Sequence, residues 1–129
     1  MDIDSIQELY STAFPPKERR EFEDLKEMFF VPECFINQII ANDDKVAGLC
    51  IFWVFNEFLF IEHFAVFPDL RGFGIGEETL SVLQGKYPLI LLETELPVDK
   101  ISRRRIKFYE RNGFTLHQLA IFSTLVWQW

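Results

Sequence analysis

The sequence predicts one mixed α/β domain over residues 1–129, with a mostly antiparallel central sheet flanked by helices. Three observations carry that expectation. The first half holds consecutive apolar runs joined by short polar turns, which is the pattern of a strand meander. The second half passes from strand to glycine-rich loop, helix, strand and helix. The chain has 129 residues with 49% hydrophobic side chains, enough for one buried core, and no repeat or linker divides it.

Each element follows in order. Ile6, Leu9, Tyr10 and Ala13 recur at helical spacing, and Asp4 or Ser5 can cap that helix. Phe14-Pro15-Pro16 ends it, because proline lacks the N–H and clashes with the preceding turn. Residues 17–30 read as a second helix, with Phe22, Leu25 and Phe29 on one stripe and Pro32 beyond its end. Residues 34–41 and 46–55 read as strands around a polar turn, Asn42-Asp43-Asp44-Lys45. Asn56-Glu57 turns the chain into a third strand, residues 58–67. A glycine-rich loop at 68–74 opens a helix over 75–86, and 88–92 is a buried strand. Residues 99–112 form the last helix, stopped by Gly113. Residues 114–129 hold one or two final strands.

Composition narrows the function. The net charge of −7 argues against a nucleic-acid partner, since phosphate backbones require Lys and Arg, and leaves room for a cationic substrate. Fifteen Phe imply an aromatic-heavy core or an exposed aromatic surface. Cys34 and Cys50 lack CxxC spacing, so neither a disulfide framework nor a metal site is expected, and Cys50 reads as a small core residue. The first residues lack a basic-then-apolar signal pattern. The best apolar stretch, residues 46–55, falls short of the ~20 residues a membrane helix needs. The expectation is a cytoplasmic protein with no membrane partner.

The chemistry concentrates in Phe64-Ala65-Val66-Phe67-Pro68-Asp69-Leu70-Arg71-Gly72-Phe73-Gly74-Ile75-Gly76. A strand runs here into a glycine-rich turn that opens a helix. Glycines let the backbone approach a ligand, the first helical N–H groups point at it, and the helix dipole and Arg71 favour an anion. A phosphate or pyrophosphate ligand follows; the alternative is a tight turn with no ligand. No Gly-Lys-Ser/Thr follows the glycines, which excludes a P-loop. A dinucleotide fingerprint lacks its third glycine, although Glu93 falls where a ribose-binding acid would sit.

On these residues the chain resembles the GNAT family of N-acetyltransferases, in the form of a small bacterial-type member. The family's pyrophosphate loop, Gln/Arg-x-x-Gly-x-Gly/Ala, is matched by Arg71-Gly72-Phe73-Gly74-Ile75-Gly76, after a Val-x-Pro strand end at Val66-Phe67-Pro68. A second element, an aromatic-Tyr-Glu-x-x-Gly-Phe helix end, is matched by Phe108-Tyr109-Glu110-Arg111-Asn112-Gly113-Phe114. The matching runs from about residue 46 to 114, and Phe14-Pro15 with Glu18-Arg19 resembles one bacterial branch. The resemblance implies acetyl-CoA as co-substrate, an amine acceptor and direct transfer in a ternary complex. It implies that Phe64, Ala65 and Val66 offer strand backbone to the pantetheine, that one of their N–H groups polarises the thioester carbonyl, and that Gly72, Gly74 and Gly76 hold the pyrophosphate. It also implies that Tyr109 is the acid protonating the departing thiolate; the alternative is a core tyrosine.

Glu62 stands out on the residues alone, as a carboxylate in a strand otherwise apolar but for His63. By period two it shares a face with Phe60, Phe64 and Val66, while His63 turns to the other face as a structural histidine. A raised pKa there would suit a general base; the alternative is a buried ion pair. Glu93 and Glu95, at a strand end, are candidates for binding a cationic amine, or a solvated terminus. Arg103, Arg104, Arg105, Lys107 and Arg111 make a basic helix, read mainly as a solvated face; the alternative is that one of them reaches the cofactor's 3′-phosphate. The first helix starts without the edge strand usual in the family. The apolar end Leu125-Val126-Trp127-Gln128-Trp129 suggests an exposed edge through which two copies could pair as a homodimer.

Overall fold

The computed structural model describes residues 3–119 and 124–129. Ile6 and Tyr10, four residues apart on one face, are both buried and fix helix α1 (Ile3–Ala13) against the sheet. Pro16 then starts a single 3-10 turn, Pro16–Glu18, and helix α2 is confined to Phe22–Met28. The expected helix over 17–30 is therefore cut short at its start. The run Lys17–Glu18–Arg19–Arg20–Glu21 has no apolar residue to bury, and Arg19 and Glu21 are extended. Its polar groups go to distant partners instead: the Arg20 N–H donates to the Tyr10 hydroxyl (2.8 Å), and the Glu18 carbonyl accepts from His63 Nε2 (2.8 Å).

Strands β1 (Cys34–Ile40), β2 (Val46–Val54) and β3 (Leu59–Val66) form the predicted antiparallel meander. Helix α3 (Ile75–Lys86) crosses to β4 (Ile90–Glu95), which is parallel to β3. Helix α4 (Lys100–Arg111) is capped by Asp99, whose carboxylate accepts from the Ser102 N–H at 2.7 Å while the Ser102 hydroxyl accepts from the Asp99 N–H. Strands β5 (Thr115–Leu119) and β6 (Thr124–Gln128) complete a six-stranded sheet ordered β1-β2-β3-β4-β6-β5. All neighbours but β3 and β4 are antiparallel.

Helices cover both faces. On one, α1 and α2 bury Ile6, Tyr10, Phe14, Leu25 and Met28 against Leu49 and Ile51. On the other, Leu80 and Leu83 of α3 and Tyr109 of α4 pack on Cys50, Ile61, Ile90, Leu92 and Trp127. Cys50 is the buried core residue expected. The phenylalanines divide: Phe14, Phe52 and Phe114 are buried, while Phe30 and Phe73 are largely exposed.

Two expectations need correction. The strand expected at 88–92 runs on to Glu95, because β6 pairs with it as far as Glu95–Thr124. The C-terminal run is also not an exposed edge. Strand β6 lies between β4 and β5 and is paired on both sides, so Leu125 and Trp127 are absorbed into the core. The reason for expecting a homodimer through that end is thereby removed. Among the described residues, no helix is long and apolar enough to cross a membrane.

Candidate active site

The sheet opens along one seam. Strands β3 and β4 pair only at Leu59–Ile90, Phe60–Leu91 and Ile61–Leu92. Beyond Ile61, β3 stays with β2 and β4 stays with β6, so the two halves diverge into a wedge. A bulge marks the point of divergence: Ile51 faces His63 and Phe52 faces Ile61, leaving Glu62 as the extra residue on β3. A bulge bends its strand and sharpens its twist, which carries residues 62–66 away from β4. The β4-facing backbone edge of that segment, with Phe64, Ala65 and Val66, has no strand beside it.

The wedge ends at the glycine loop. Pro68–Leu70 forms a 3-10 turn, and Gly72 and Gly74 take φ of 86° and 79°, where a Cβ is strongly disfavoured. Gly74 is the N-cap of α3, and no side chain caps that terminus. The N–H groups of its first turn, Ile75 and Gly76 included, have no partner within the helix by its geometry. Arg71 braces the loop by donating from Nε to the Val66 carbonyl (2.9 Å). Burial, and then the charges of Arg104 and Arg105, lower its pKa. Phe73 is exposed. Gly76 has a different reason: a Cβ there would stand 3.0 Å from the Phe108 ring and 3.6 Å from Phe64. The glycine lets α3 close on the floor of the wedge, where Phe64 and Phe108 stack at 6.2 Å.

Tyr109 lies beside that floor, 6% exposed, edge-on to Phe108 and Phe114. Burial raises its pKa, opposed by the Arg105 charge, so the hydroxyl keeps its proton throughout the neutral range.

Glu62 is drawn into a network on the α1/α2 face. Arg20 donates to both its oxygens (2.8 and 2.5 Å), and Trp53 Nε1 to one (3.2 Å). His63 Nδ1 is 3.2 Å from the carboxylate. Burial raises the Glu62 pKa, but the hydrogen bonds with His63 and Arg20 and their charges outweigh it and hold the group at about 2. Of the two readings the sequence left open, a base of raised pKa and a buried ion pair, the geometry forms the ion pair. The expected faces change. The bulge rotates the strand by one position, so Phe64 and Val66 join Ile61 over the α3/α4 core, and His63 packs on Tyr10 and Phe14 of the opposite layer. Glu62 and His63 become neighbours instead of opposites.

Glu93 and Glu95 alternate with buried Leu92 and Thr94 on β4. The Thr124 hydroxyl donates to Glu93 (3.2 Å). Glu95 meets Glu18 from the α1–α2 connection, and Arg105 Nη1 reaches both, at 3.7 and 3.2 Å. Contact with Glu18, and then burial, raises the Glu95 pKa. Glu18, Arg20, Tyr10 and Trp53 escaped sequence reasoning as site residues. Their one sequence signal is the Glu18-Arg19-Arg20 run directly after a proline-ended helix.

The sequence pattern of the Acetyltransferase (GNAT) family matches residues 3–114. YjbC of Bacillus subtilis (strain 168), provisionally named an acetyltransferase, is 33% identical over 81 residues; the match covers 60% of this chain and 42% of YjbC. A structure from Bacteroides thetaiotaomicron, provisionally named a GNAT-family acetyltransferase, is 36% identical with a TM-score of 0.81, covering 97% of this chain and 78% of that one. The PaiA N-acetyltransferase of Thermoplasma acidophilum, determined with coenzyme A, shares the fold at a TM-score of 0.76 and 13% identity, over 99% of this chain and 94% of that one.

Proposed function

The chain belongs to the GNAT acetyltransferase family, and from that premise we propose that it is an N-acetyltransferase moving an acetyl group from acetyl-CoA to a primary amine. The observation that carries this reading is the wedge between β3 and β4, which ends at an uncapped helix N-terminus behind two left-handed glycines. The residues present fit the co-substrate. An unpaired strand edge at 64–66 suits an amide-bearing pantetheine arm. The Gly72–Gly74 backbone and the α3 terminus suit a pyrophosphate, with Arg71 as counter-charge.

Acetyl-CoA brings the activated acyl group; the chain binds it, positions it and moves protons. A β3 N–H on the wedge side, from Phe64 or Val66, polarises the thioester carbonyl, whereas that of Ala65 points to β2. Tyr109, held protonated by burial, supplies the proton that the departing thiolate takes up. Glu62, at about 2, is too weak a base to deprotonate an ammonium directly. In this reading the amine loses its proton to water, and Glu62 holds Arg20 and the bulge in place. Glu93 and Glu95, with Glu18 beside the latter, give a cationic acceptor its counter-charge.

One observation favours a second reading, an acyl-CoA-binding module without turnover: both candidate catalytic side chains are committed, Tyr109 to the core and Glu62 to Arg20. Calorimetric titration with acetyl-CoA, beside CoA and NAD, tests the binding. Saturable acetyl-CoA binding followed by acetylation in an amine screen supports the enzyme. Binding without turnover supports the module, and a preference for NAD overturns both.

A further inference from the structure

Between α1 and the connection that enters α2 lies a recess of about 260 Å³, with Gln7, Tyr10, Ser11, Arg19, Arg20 and Phe22 in its lining. Its two arginines differ. Arg20 is neutralised by the two-pronged bond to Glu62. Arg19, one residue away, makes no side-chain hydrogen bond or ion pair among the described residues, yet its Nε is fully buried. A guanidinium N–H withdrawn from water without an acceptor is costly, and the cost is removed by an oxygen placed against it. Glu21 also lines the recess but makes no ion pair with Arg19 among the described residues, so that guanidinium is left without a direct partner. Around that charge stand more polar groups: the Gln7 amide, the Ser11 hydroxyl and the Tyr10 hydroxyl.

We propose that this recess binds one small oxyanion, a carboxylate or phosphate group, with Arg19 as its counter-ion. The planar fork of arginine matches two oxygens of such a group, and Ser11 and Gln7 in the same lining carry further donors. The site adjoins the network of the bulge, because Tyr10 accepts from the Arg20 N–H and packs edge-on to His63. The oxyanion is either an acidic group on the acceptor or a separate small anion; both present the same chemistry to Arg19.

The first arm uses the full chain without acetyl-CoA, so it does not depend on the acetyltransferase reading; the second arm, which assigns the source, rests on that reading. Inorganic phosphate and acetate are titrated while the Arg side-chain Nε–H resonances are followed by NMR, with that of Arg19 identified by its disappearance in R19K. The proposal expects a saturable shift of the Arg19 signal with at least one probe, and binding weakened roughly tenfold or more in R19Q. R19K, which keeps the charge without Nε, should retain part of the affinity. No saturable shift with either probe, or equal affinity in a folded R19Q, overturns it. A second arm separates the two sources with paired amines that differ by one carboxylate, phenylalanine and phenethylamine. A KM raised in R19Q for phenylalanine alone, with phosphate competing, assigns the site to the acceptor. Phosphate acting equally on both amines without competing assigns it to a separate anion.

Discussion

A carboxylate held at about 2 inside a strand ties the fold to pH. The folded Glu62 pKa lies below its ordinary 4.5. Its contribution to stability is therefore complete above 4.5 and is lost as pH falls toward 2. E62Q should lower stability at neutral pH by roughly 2 kcal/mol, visible in urea unfolding. It should also flatten the stability curve between pH 4.5 and 2; an unchanged acid limb would show that the Arg20 pair is not formed in solution. Tyr109 makes a different forecast. Removing only its hydroxyl leaves the ring packing on Phe108 and Phe114 intact. Y109F should therefore keep acetyl-CoA affinity and lose on the order of 10²-fold in kcat, and a wild-type kcat would remove Tyr109 as the acid. At this scale the identity of Glu62 as an unusual residue was legible, because a lone carboxylate among apolar neighbours is conspicuous. Its state was not. That depends on Arg20 and Trp53, which arrive from other elements, and on a bulge that period-two reasoning does not anticipate.

Among the elements, the loop between β3 and α3 was the most legible, since its glycines encode a backbone conformation locally. The structure separates their reasons, and the variants should separate too. A Cβ added at Gly72 or Gly74 would meet open space but a positive φ; Gly76 has helical backbone, and a Cβ there would meet Phe108. G74V should cost about 1–2 kcal/mol in backbone strain and abolish measurable acetyl-CoA binding in calorimetry. G76A should mainly displace the Phe108 ring, lowering Tm while leaving detectable binding. Equal binding losses from both would mean that the loop responds to packing rather than to its left-handed turns. The α1–α2 connection was the least legible element. Its charged run has good helix formers, and tertiary partners, among them His63 for Glu18 and Tyr10 for Arg20, hold it out of an α-helix. Nothing local in the sequence announces them. The order of β5 and β6 was hidden for the same reason, because which strand lies inside is decided by pairing with β4.

At the scale of the whole molecule, the sheet is continuous at one end and split at the other, and that asymmetry makes its own forecast. Leu59, Phe60 and Ile61 are held between β2 and β4, whereas the amides from Glu62 to Val66 that point away from β2 face the wedge. Hydrogen exchange reports the opening free energy of each amide, so the two halves of one strand should differ. Without ligand, the wedge-facing amides of 62–66 should exchange fast, beside slow amides at 59–61. Acetyl-CoA laid along the open edge should slow those amides at least roughly tenfold, which corresponds to about 1.4 kcal/mol of local protection. It should also slow the first amides of α3, where no side chain competes for them. Protection gained evenly across all six strands would indicate only a global gain in stability from ligand binding. Protection confined to α3 would mean that the pyrophosphate end binds while the pantetheine arm does not complete the sheet. Slowing at both the open half of β3 and the start of α3 is the pattern expected of a ligand spanning the wedge from the bulge to the glycine loop, because the open edge runs directly into that loop.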